Sequence, residues 1–396
     1  MEKKRNCPIC KSLNSKLIMS VELMHFDSVR SPLSIRASEC LNCGFVFNDS
    51  EIDVESLNEF YTKDNFYFTE DSFGTGGCDT KRYETYEKCL TPYLNQESII
   101  VDVGCGKGQL VKYLIDRGFT NARGVELDKR MVEIATQQGI PVHKGTASKL
   151  SLNANSIDLL IYTHVFEHLW DLDDAIEQAK NCLKNNGLMF IEVPNAPNYS
   201  QARVFDYFWI SMAEHINHFS DYYLEMLMIK HGFEKIVTVE TIVPYNNPSY
   251  GYPSLKMLFR KNEIKRVVAR EIEYSALLRN KIHAYITNEN QYMLKRKRTV
   301  NELKNSKTNL FVWGIGIEFF ILSTFTELLN CNILALIDKN PYKQGMSVKG
   351  NGIVSPEHLK QATSDSVVLL TSVFNKEQMQ KYLCEISFKG KMLILD

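Results

Sequence analysis

Short apolar runs alternate with amphipathic stretches between residues 76 and 245. The runs of strand type are each bounded by turn residues, and they lie at 98–104, 122–127, 158–165 and 188–194. Helix-type stretches separate them, at 108–118 and 173–187. This alternation is typical of βαβ units, so we predict an α/β domain with a mostly parallel sheet.

Two further regions differ in pattern from this core. Residues 254–309 contain neither Gly nor Pro and are rich in Lys, Arg, Leu and Glu, which predicts long helices. A second α/β unit follows, beginning with the strand and glycine turn NLFVWGIG. We therefore predict four segments, namely a cysteine-paired domain (1–75), an α/β core (76–245), a helical connection (246–309) and a C-terminal α/β domain (310–396).

The charge of the chain is balanced overall but uneven along its length. Among 396 residues, 46 are basic and 47 are acidic, which excludes a nucleic-acid binder that is basic throughout. The stretch 254–309, however, holds 14 Lys and Arg against 5 Asp and Glu. It is either a solvated helix face or a positive wall near a diphosphate.

Neither the N-terminus nor the most apolar segment has the pattern of a targeting signal. MEKKRNCPIC has charges without a following apolar region, so it does not predict a secretory signal. The segment 310–329 contains Glu318 and a glycine break, which disfavours a membrane span. We expect a cytoplasmic protein with no membrane partner, whose cysteines stay reduced.

Two cysteine pairs have the spacing of a metal site. Cys7 and Cys10, then Cys40 and Cys43, form C-x2-C pairs separated by 29 residues. Four thiolates satisfy tetrahedral Zn²⁺ and leave no open position, so we predict a structural zinc site. The alternative is two unrelated pairs of reduced cysteines. The other six cysteines are interpreted as small apolar fillers.

A glycine-rich turn follows the first core strand. VDVGCGKGQL (101–110) carries Gly104, Gly106 and Gly108, and Asp102 lies two residues before the first glycine. Such a turn lets a ligand approach the backbone and the helix N-terminus. Glu126 ends the next strand 22 residues after Gly104, where a carboxylate can accept both hydroxyls of a ribose.

Later segments extend this pattern in order, with DLLIYTHVFEHLWD, then LKNNGLMFIEVPN, then EHINHFS. As a set, residues 76–245 resemble class I S-adenosylmethionine (SAM)-dependent methyltransferases, which implies a Rossmann-like core. A dinucleotide dehydrogenase, the alternative, would lack these later segments. By the resemblance, the cofactor would be bound by Asp102, Gly104, Cys105, Gly106, Glu126, Leu127, Thr146, Ala147, Thr163 and His164. Residues 163–166 read Thr-His-Val-Phe, whereas amino-methyltransferases of nucleic-acid bases carry Asn/Asp-Pro-Pro-Tyr there.

The whole chain resembles the sugar C-methyltransferases of deoxysugar biosynthesis, which serve polysaccharide or antibiotic pathways. That family has an N-terminal zinc-binding domain, a methyltransferase core and a C-terminal Rossmann-like domain, and PLSIRASECLNCGFVF (32–47) is similar to its second cysteine segment. It acts on nucleotide-linked 4-keto sugars, so the resemblance implies SAM and structural Zn²⁺ as cofactors and a nucleotide-linked sugar as substrate.

The resemblance also assigns residues to the methyl acceptor. The family's Glu-His pair corresponds to Glu214 and His215, so His215 would be the general base that removes a proton beside the ketone. Glu214 would orient or polarise His215, or bind substrate. Tyr67, with Phe66, corresponds to an aromatic segment on the substrate side, although packing would explain both equally well. His218 would be a second pocket residue, or simply exposed.

Three departures leave alternatives open. Met212 stands where the family carries a tyrosine, and the second glycine turn (312–318) differs from the family's sequence. Phe319 occupies the place of a third glycine, so although Asp338 follows Gly316 by 22 residues, we favour a Rossmann-like domain without its own cofactor.

An O-methyltransferase of sugars or other small molecules would need the same base. A zinc-containing RNA methyltransferase is disfavoured by the acidic residues after Cys43. His168 is expected to be a structural hydrogen-bonding residue. The sequence leaves open the sugar, the position methylated and the oligomeric state.

Overall fold

The computed structural model describes residues 5–29, 34–50, 79–244, 251–262 and 274–395. The chain divides into two compact units of noncontiguous segments. The first comprises Met1–Met19, Arg36–Ala202 and Glu214–Ile282, and the second comprises Ser20–Ile35, Arg203–Ala213 and His283–Asp396. The cysteine pairs and the α/β core thus belong to one compact unit.

A seven-stranded sheet forms the centre of the first unit. Its strands are β4 (Ile100–Val103), β5 (Ala122–Glu126), β6 (Val142–Lys144), β7 (Ile157–Thr163), β8 (Leu183–Pro194), β10 (Phe233–Pro244) and β11 (Gly251–Lys261). The strand order is β10-β11-β8-β7-β4-β5-β6. The strands from β8 to β6 are parallel, whereas β11 runs antiparallel to both of its neighbours. The predicted α/β, Rossmann-like core is confirmed.

Helices precede and connect these strands. They are α1 (Asp79–Leu90), α2 (Gln109–Asp116), α3 (Lys129–Gln137), α4 (Leu172–Cys182) and α6 (Asp221–Lys230). In α2 the buried side chains are Leu110, Val111 and Leu114, which recur at helical spacing. The side chains of Asp128 and Asp171 cap α3 and α4 by accepting backbone N–H bonds.

Strand β11 corrects the helical prediction for 254–309. Ten of its eleven residues are buried, and it lies between β8 and β10. A strand that is buried on both faces has a continuous run of apolar residues instead of alternating apolar and polar ones. The absence of Gly and Pro does not distinguish such a run from a helix. The core sheet therefore extends past the predicted boundary at residue 245. Helix α7 (Ala276–Asn305) confirms the helical prediction only for the later part of this region.

A small sheet carries the second cysteine pair. Its strands are β1 (Ser15–Glu22), β2 (Ser34–Cys40), β3 (Val46–Asn48) and β9 (Asn217–His218), in that order. β3 pairs antiparallel with β9, with Val46 opposite His218. The cysteine segment is therefore hydrogen-bonded to the stretch that follows His215.

The second unit is also of α/β type. Its six-stranded sheet consists of β12 (Leu310–Trp313), β13 (Ile333–Ile337), β14 (Ser347–Val348), β15 (Asn351–Val354), β16 (Val367–Leu370) and β17 (Lys391–Ile394), in the order β14-β15-β13-β12-β16-β17. Only β14 is antiparallel to its neighbour. The helices are α5 (Phe208–Ser211), most of α7, α8 (Ile317–Phe325) and α9 (Lys376–Glu385). This confirms the predicted C-terminal Rossmann-like unit.

None of the helices within the described ranges combines the length and apolar character needed to cross a membrane. The apolar segment at 310–329 instead divides into β12, a glycine turn and α8, as its glycine break predicted.

Candidate active site

The four predicted zinc ligands converge. One Sγ from each of Cys7, Cys10, Cys40 and Cys43 lies within 4.8 Å of all the others. The Cys7 and Cys43 sulfurs are 3.7 Å apart, and those of Cys10 and Cys40 are 3.4 Å apart. Thiolates bound to tetrahedral Zn²⁺ at about 2.3 Å would be about 3.8 Å apart. The donor set and its spacing therefore fit zinc.

Both cysteine pairs use the same backbone turn. The N–H of Lys11 donates to the Cys7 carbonyl at 2.9 Å, and the N–H of Gly44 donates to the Cys40 carbonyl at 2.8 Å. Lys11 has φ +64° and Gly44 has φ +82°, so a lysine adopts the conformation that glycine usually provides. At Gly44 a side chain is excluded, because a Cβ there would lie 2.2 Å from the Ser275 carbonyl oxygen.

The first glycine turn leaves an open space beside β4. Gly104, Gly106 and Gly108 have φ values of +74°, +55° and +76°, a backbone path that side chains disfavour. A Cβ on Gly104 would lie 2.6 Å from the Val165 side chain, whereas a Cβ on Gly106 would meet nothing within 4 Å. The turn is therefore packed at Gly104 and open at Gly106, where a ligand could reach the backbone.

Two carboxyl groups border this opening. The Glu126 carboxylate accepts the backbone N–H groups of Gly106 and Asp128, both at 2.8 Å. Asp102 is buried, and its Oδ1 has no hydrogen-bond partner. Burial, and then the Glu126 charge, raise the pKa of Asp102 to about 8. An unpartnered carboxyl oxygen beside an open turn is suited to a cationic ligand. These residues fit SAM, with Glu126 placed for its ribose and Asp102 for its positively charged end.

The remaining predicted cofactor residues lie along the same sheet edge. Leu127 follows β5 directly, and Thr146 pairs with Lys149 just after β6, with Ala147 beside it. The Cys105 thiol packs against the backbone of Gly124, where a Cβ would lie 2.4 Å from Sγ. Burial raises the pKa of this thiol, so it is not a nucleophile at neutral pH.

Thr163 ends β7, and His164 follows with a left-handed backbone. The φ of His164 is +56°, which is uncommon for a residue other than glycine and is found at strained functional positions. The His164 Nδ1 lies 2.9 Å from Glu167 Oε1, and its Nε2 is buried without a partner. Sequence reasoning missed Glu167, although His164, Glu167 and His168 have the spacing that places them on one side of a turn.

His168 and His215 meet near this turn. The His168 Nδ1 is 3.0 Å from the Glu214 carbonyl oxygen, and its ring centroid is 4.7 Å from that of His215. The first contact matches the structural hydrogen bond expected of His168. The His215 Nδ1 is buried and has no partner. Burial, followed by the charges of His168, His164 and His218, holds the pKa of His215 well below its usual range, so the ring is neutral at pH 7.

From the sequence, Glu214 was expected to orient or polarise His215, or to bind substrate. Among the residues that the structure describes, no hydrogen bond joins the Glu214 carboxyl to the His215 ring, and burial raises the pKa of that carboxyl. The Glu214 main chain instead positions His168. His218 is buried rather than exposed, and its Nδ1 lies 3.1 Å from the Tyr199 hydroxyl. Tyr67 and Phe66 lie outside the described residues.

A buried polar network supports the end of β8. The Glu192 carboxylate accepts hydrogen bonds from Arg82, Tyr86, Tyr252 and Ser254. Burial opposes ionisation, but the charges of Arg82, His164 and Lys256 outweigh it and hold the pKa of Glu192 far below its usual range. The Glu192 carbonyl also accepts the His164 N–H at 2.9 Å, which fixes the residue after β7. Sequence reasoning missed this network because Arg82 and Glu192 are 110 positions apart.

The comparison with protein families agrees with the core. Residues 81–238 match a family described as a methyltransferase domain. The ubiquinone biosynthesis O-methyltransferase of Bartonella bacilliformis is 32% identical over 102 residues, which are 24% of this chain and 41% of the relative. The ubiquinone/menaquinone biosynthesis C-methyltransferase of Campylobacter jejuni is 19% identical over 118 residues, which are 28% of this chain and 50% of the relative.

The solved structures that match have low sequence identity to this chain. A SAM-dependent methyltransferase from Methanosarcina mazei is 15% identical with a TM-score of 0.38, and the match covers 44% of this chain and 97% of that one. The chain spans about two fifths of the length of the first curated relatives that it matches. Family match and site geometry together lead to one conclusion. Residues 81–238 are a methyltransferase domain of the class I, SAM-dependent type.

Proposed function

We propose that the protein transfers the methyl group of SAM to a nucleotide-linked keto sugar, forming a carbon–carbon bond beside the ketone. The observation that carries the proposal is the set of groups at one edge of the core sheet. The open turn at Gly106, with Glu126 and Asp102, lies at the ends of β4 and β5. His164 and His168 follow β7, which neighbours β4, and the His215 ring lies 4.7 Å from that of His168. The resemblance of the whole chain to sugar C-methyltransferases supplies the substrate class.

In this proposal His215 is the proton acceptor. The C–H bond on the carbon beside the ketone breaks, and the proton moves to the neutral imidazole of His215. The electron pair of that C–H bond stays on the substrate, which becomes an enolate. SAM, when bound, supplies an electrophilic methyl group to that carbon. Glu126 and Asp102 orient the donor, and the buried Glu192 network keeps β8 and the residue after β7 in place. Zinc at the four cysteines supports β2 and β3, and β3 pairs with β9 directly after His215.

Methylation of a hydroxyl oxygen is the second candidate. The relatives named ubiquinone biosynthesis O-methyltransferases favour it, although they match only part of the core. The same base would then remove a hydroxyl proton instead of a carbon-bound proton.

Incubation of the zinc-loaded protein with [¹³C-methyl]SAM and a panel of nucleotide-linked 4-keto sugars tests the proposal. We expect a new methyl signal bonded to carbon by NMR and a mass increase of one methylene in the sugar. A methyl ether would establish O-methylation instead, and label found only in added RNA would contradict the sugar proposal. His215→Asn should abolish transfer, whereas His143→Asn, an exposed histidine on β6, should leave it unchanged.

A further inference from the structure

A cluster of metal-ligating groups lies in the core, apart from the four cysteines. One donor atom from each of Glu167, His168 and His215 lies within 4.8 Å of the other two. The Glu167 side chain is 1% exposed. Its Oε2 and the His215 Nδ1 are both buried atoms without a hydrogen-bond partner. Buried polar atoms seldom remain unpaired, so these two indicate a missing ligand.

The three groups offer oxygen and nitrogen atoms that can bind a metal ion. A carbonyl oxygen can only accept, so His168 Nδ1 donates to the Glu214 carbonyl. The His168 Nε2 lies 3.9 Å from Glu167 Oε1. A carboxyl oxygen and imidazole nitrogens therefore converge, and these are atom types that bind cations.

The surroundings supply the outer contacts that metal ligands usually have. A metal-binding histidine typically donates its other ring N–H to a carbonyl or carboxylate, as His168 does to the Glu214 carbonyl. A metal-binding carboxylate is typically held by a hydrogen bond, as Glu167 is by His164 Nδ1 at 2.9 Å. The strained backbone of His164, with φ +56°, keeps this ring directed at Glu167.

We propose that Glu167, His168 and His215 bind a divalent transition-metal ion, and that the bound ion blocks methyl transfer. Two imidazoles and one carboxylate are a donor set for Zn²⁺, Co²⁺ or Ni²⁺ rather than Mg²⁺. Around a tetrahedral ion the donors would be about 3.4 Å apart, so binding draws the three side chains together by rotamer adjustment. The blocking effect rests on the proposed function, because a metal-bound His215 lacks the lone pair that accepts the proton.

The test uses the full chain with Zn²⁺ already bound at the four cysteines, and Co²⁺ as the probe. We expect one further equivalent of Co²⁺ by calorimetry, with the weak visible absorption of nitrogen and oxygen ligands. Near-ultraviolet charge-transfer absorption would instead report exchange into the thiolate site. Glu167→Gln and His215→Asn should each weaken Co²⁺ binding by about tenfold or more. His143→Asn is the matched control and should bind Co²⁺ as the unmodified protein does.

Each outcome separates the ion site from the proposed reaction. No binding of Co²⁺ to the zinc-loaded chain, or Co²⁺ binding unchanged in both variants while they retain the native melting temperature, would overturn the site. Loss of methyl transfer on Co²⁺ addition, reversed by dilution, would support both parts of the proposal. Binding with transfer unaffected or increased would leave the ion site standing and would contradict His215 as the proton acceptor.

Discussion

The chain contains two units in which a strand, a glycine turn and a helix follow one another. The two units are alike in sequence, but their acidic residues have different hydrogen-bond partners. Each places an acidic residue at or just after the next strand, 22 residues from a turn glycine: Glu126 after Gly104, and Asp338 after Gly316. The first turn has three glycines in the left-handed region. In the second, only Gly314 is left-handed, with φ +105°, while Gly316 is extended at φ −125°.

In the first turn, ligand-binding groups remain available. Asp102 has an unpartnered oxygen, and a Cβ on Gly106 would meet no atom within 4 Å. Glu126 accepts only backbone N–H bonds, and within the described ranges no basic side chain pairs with it. The geometry of this turn therefore leaves a carboxylate and an open backbone segment for a ligand.

In the second turn, the protein's own side chains occupy the corresponding groups. Asp338 accepts the Ile315 N–H at 2.9 Å and the Lys343 ammonium at 3.2 Å. Lys343 also donates to the Ile315 carbonyl at 2.7 Å. The residue two before the first glycine is the buried Val312, and Phe319 is fully buried at the third glycine position.

This contrast shows that a glycine turn with a spaced acid predicts a fold more reliably than a ligand. The two acids differ in that Asp338 is paired with the Lys343 ammonium, whereas Glu126 accepts only backbone N–H groups. Three pairs of substitutions would break or sharpen the comparison.

The largest effect is expected at Asp102. Its folded pKa of about 8 lies far above the unfolded value of about 3.9. Between these values the folded state binds a proton that the unfolded state has lost, so this group's contribution to stability falls as pH rises towards 8. Asp102→Asn should therefore stabilise the SAM-free protein at pH 8 by on the order of a few kcal/mol, and less at pH 5. Urea unfolding at several pH values measures this.

The control for that experiment is Asp116→Asn on the exposed face of α2. It should change stability little and without this pH dependence. A stability gain at Asp102→Asn that is the same at pH 5 and pH 8 would show that the carboxyl ionises normally in the folded protein.

The second largest effect is a difference in SAM affinity between variants of Glu126 and Asp338. Glu126→Gln removes a charged hydrogen-bond acceptor worth about 1.5–3 kcal/mol, so SAM affinity should fall about ten- to a hundredfold. Asp338→Asn should leave SAM affinity unchanged, because Lys343 and the Ile315 N–H already occupy that acid. Calorimetric titration of both variants measures the difference. Equal losses would mean that both turns bind the cofactor.

The smallest effect concerns the two glycines, Gly106 and Gly316. Gly106→Ala forces a side chain to φ +55°, at a cost of about 1–2 kcal/mol, and places a methyl group in the open space beside the turn. Gly316→Ala meets ordinary extended backbone with no atom within 4 Å. Thermal melting should show a loss for the first variant and no loss for the second. Melting curves that do not distinguish them would contradict the backbone difference between the turns.

The sequence predicted features whose partners are near in the chain or fixed by a repeated spacing. The two cysteine pairs, the strand–turn–helix at Gly104 and the parallel strands fall in this class, because local turns and apolar runs encode them. The strand β11 was missed, since a doubly buried strand with Lys256 in it has no period that separates it from a helix.

The contacts around the histidines were also beyond sequence reasoning. His168 meets Glu214 and His215 across 46 and 47 positions, and the loop that carries Glu214 has no pattern that specifies its partner. The assignment of Glu214 and His215 to the methyl acceptor stays a prediction. The sequence did not indicate that the backbone of Glu214 would contact His168.

Equilibrium dialysis of the full-length, zinc-loaded protein against radiolabelled SAM tests the central claim most directly. The account predicts one equivalent of SAM per chain, bound at the turn that contains Gly106. Two equivalents would show that the second glycine turn also binds the cofactor, and none would show that the open turn at Gly106 is not a cofactor site.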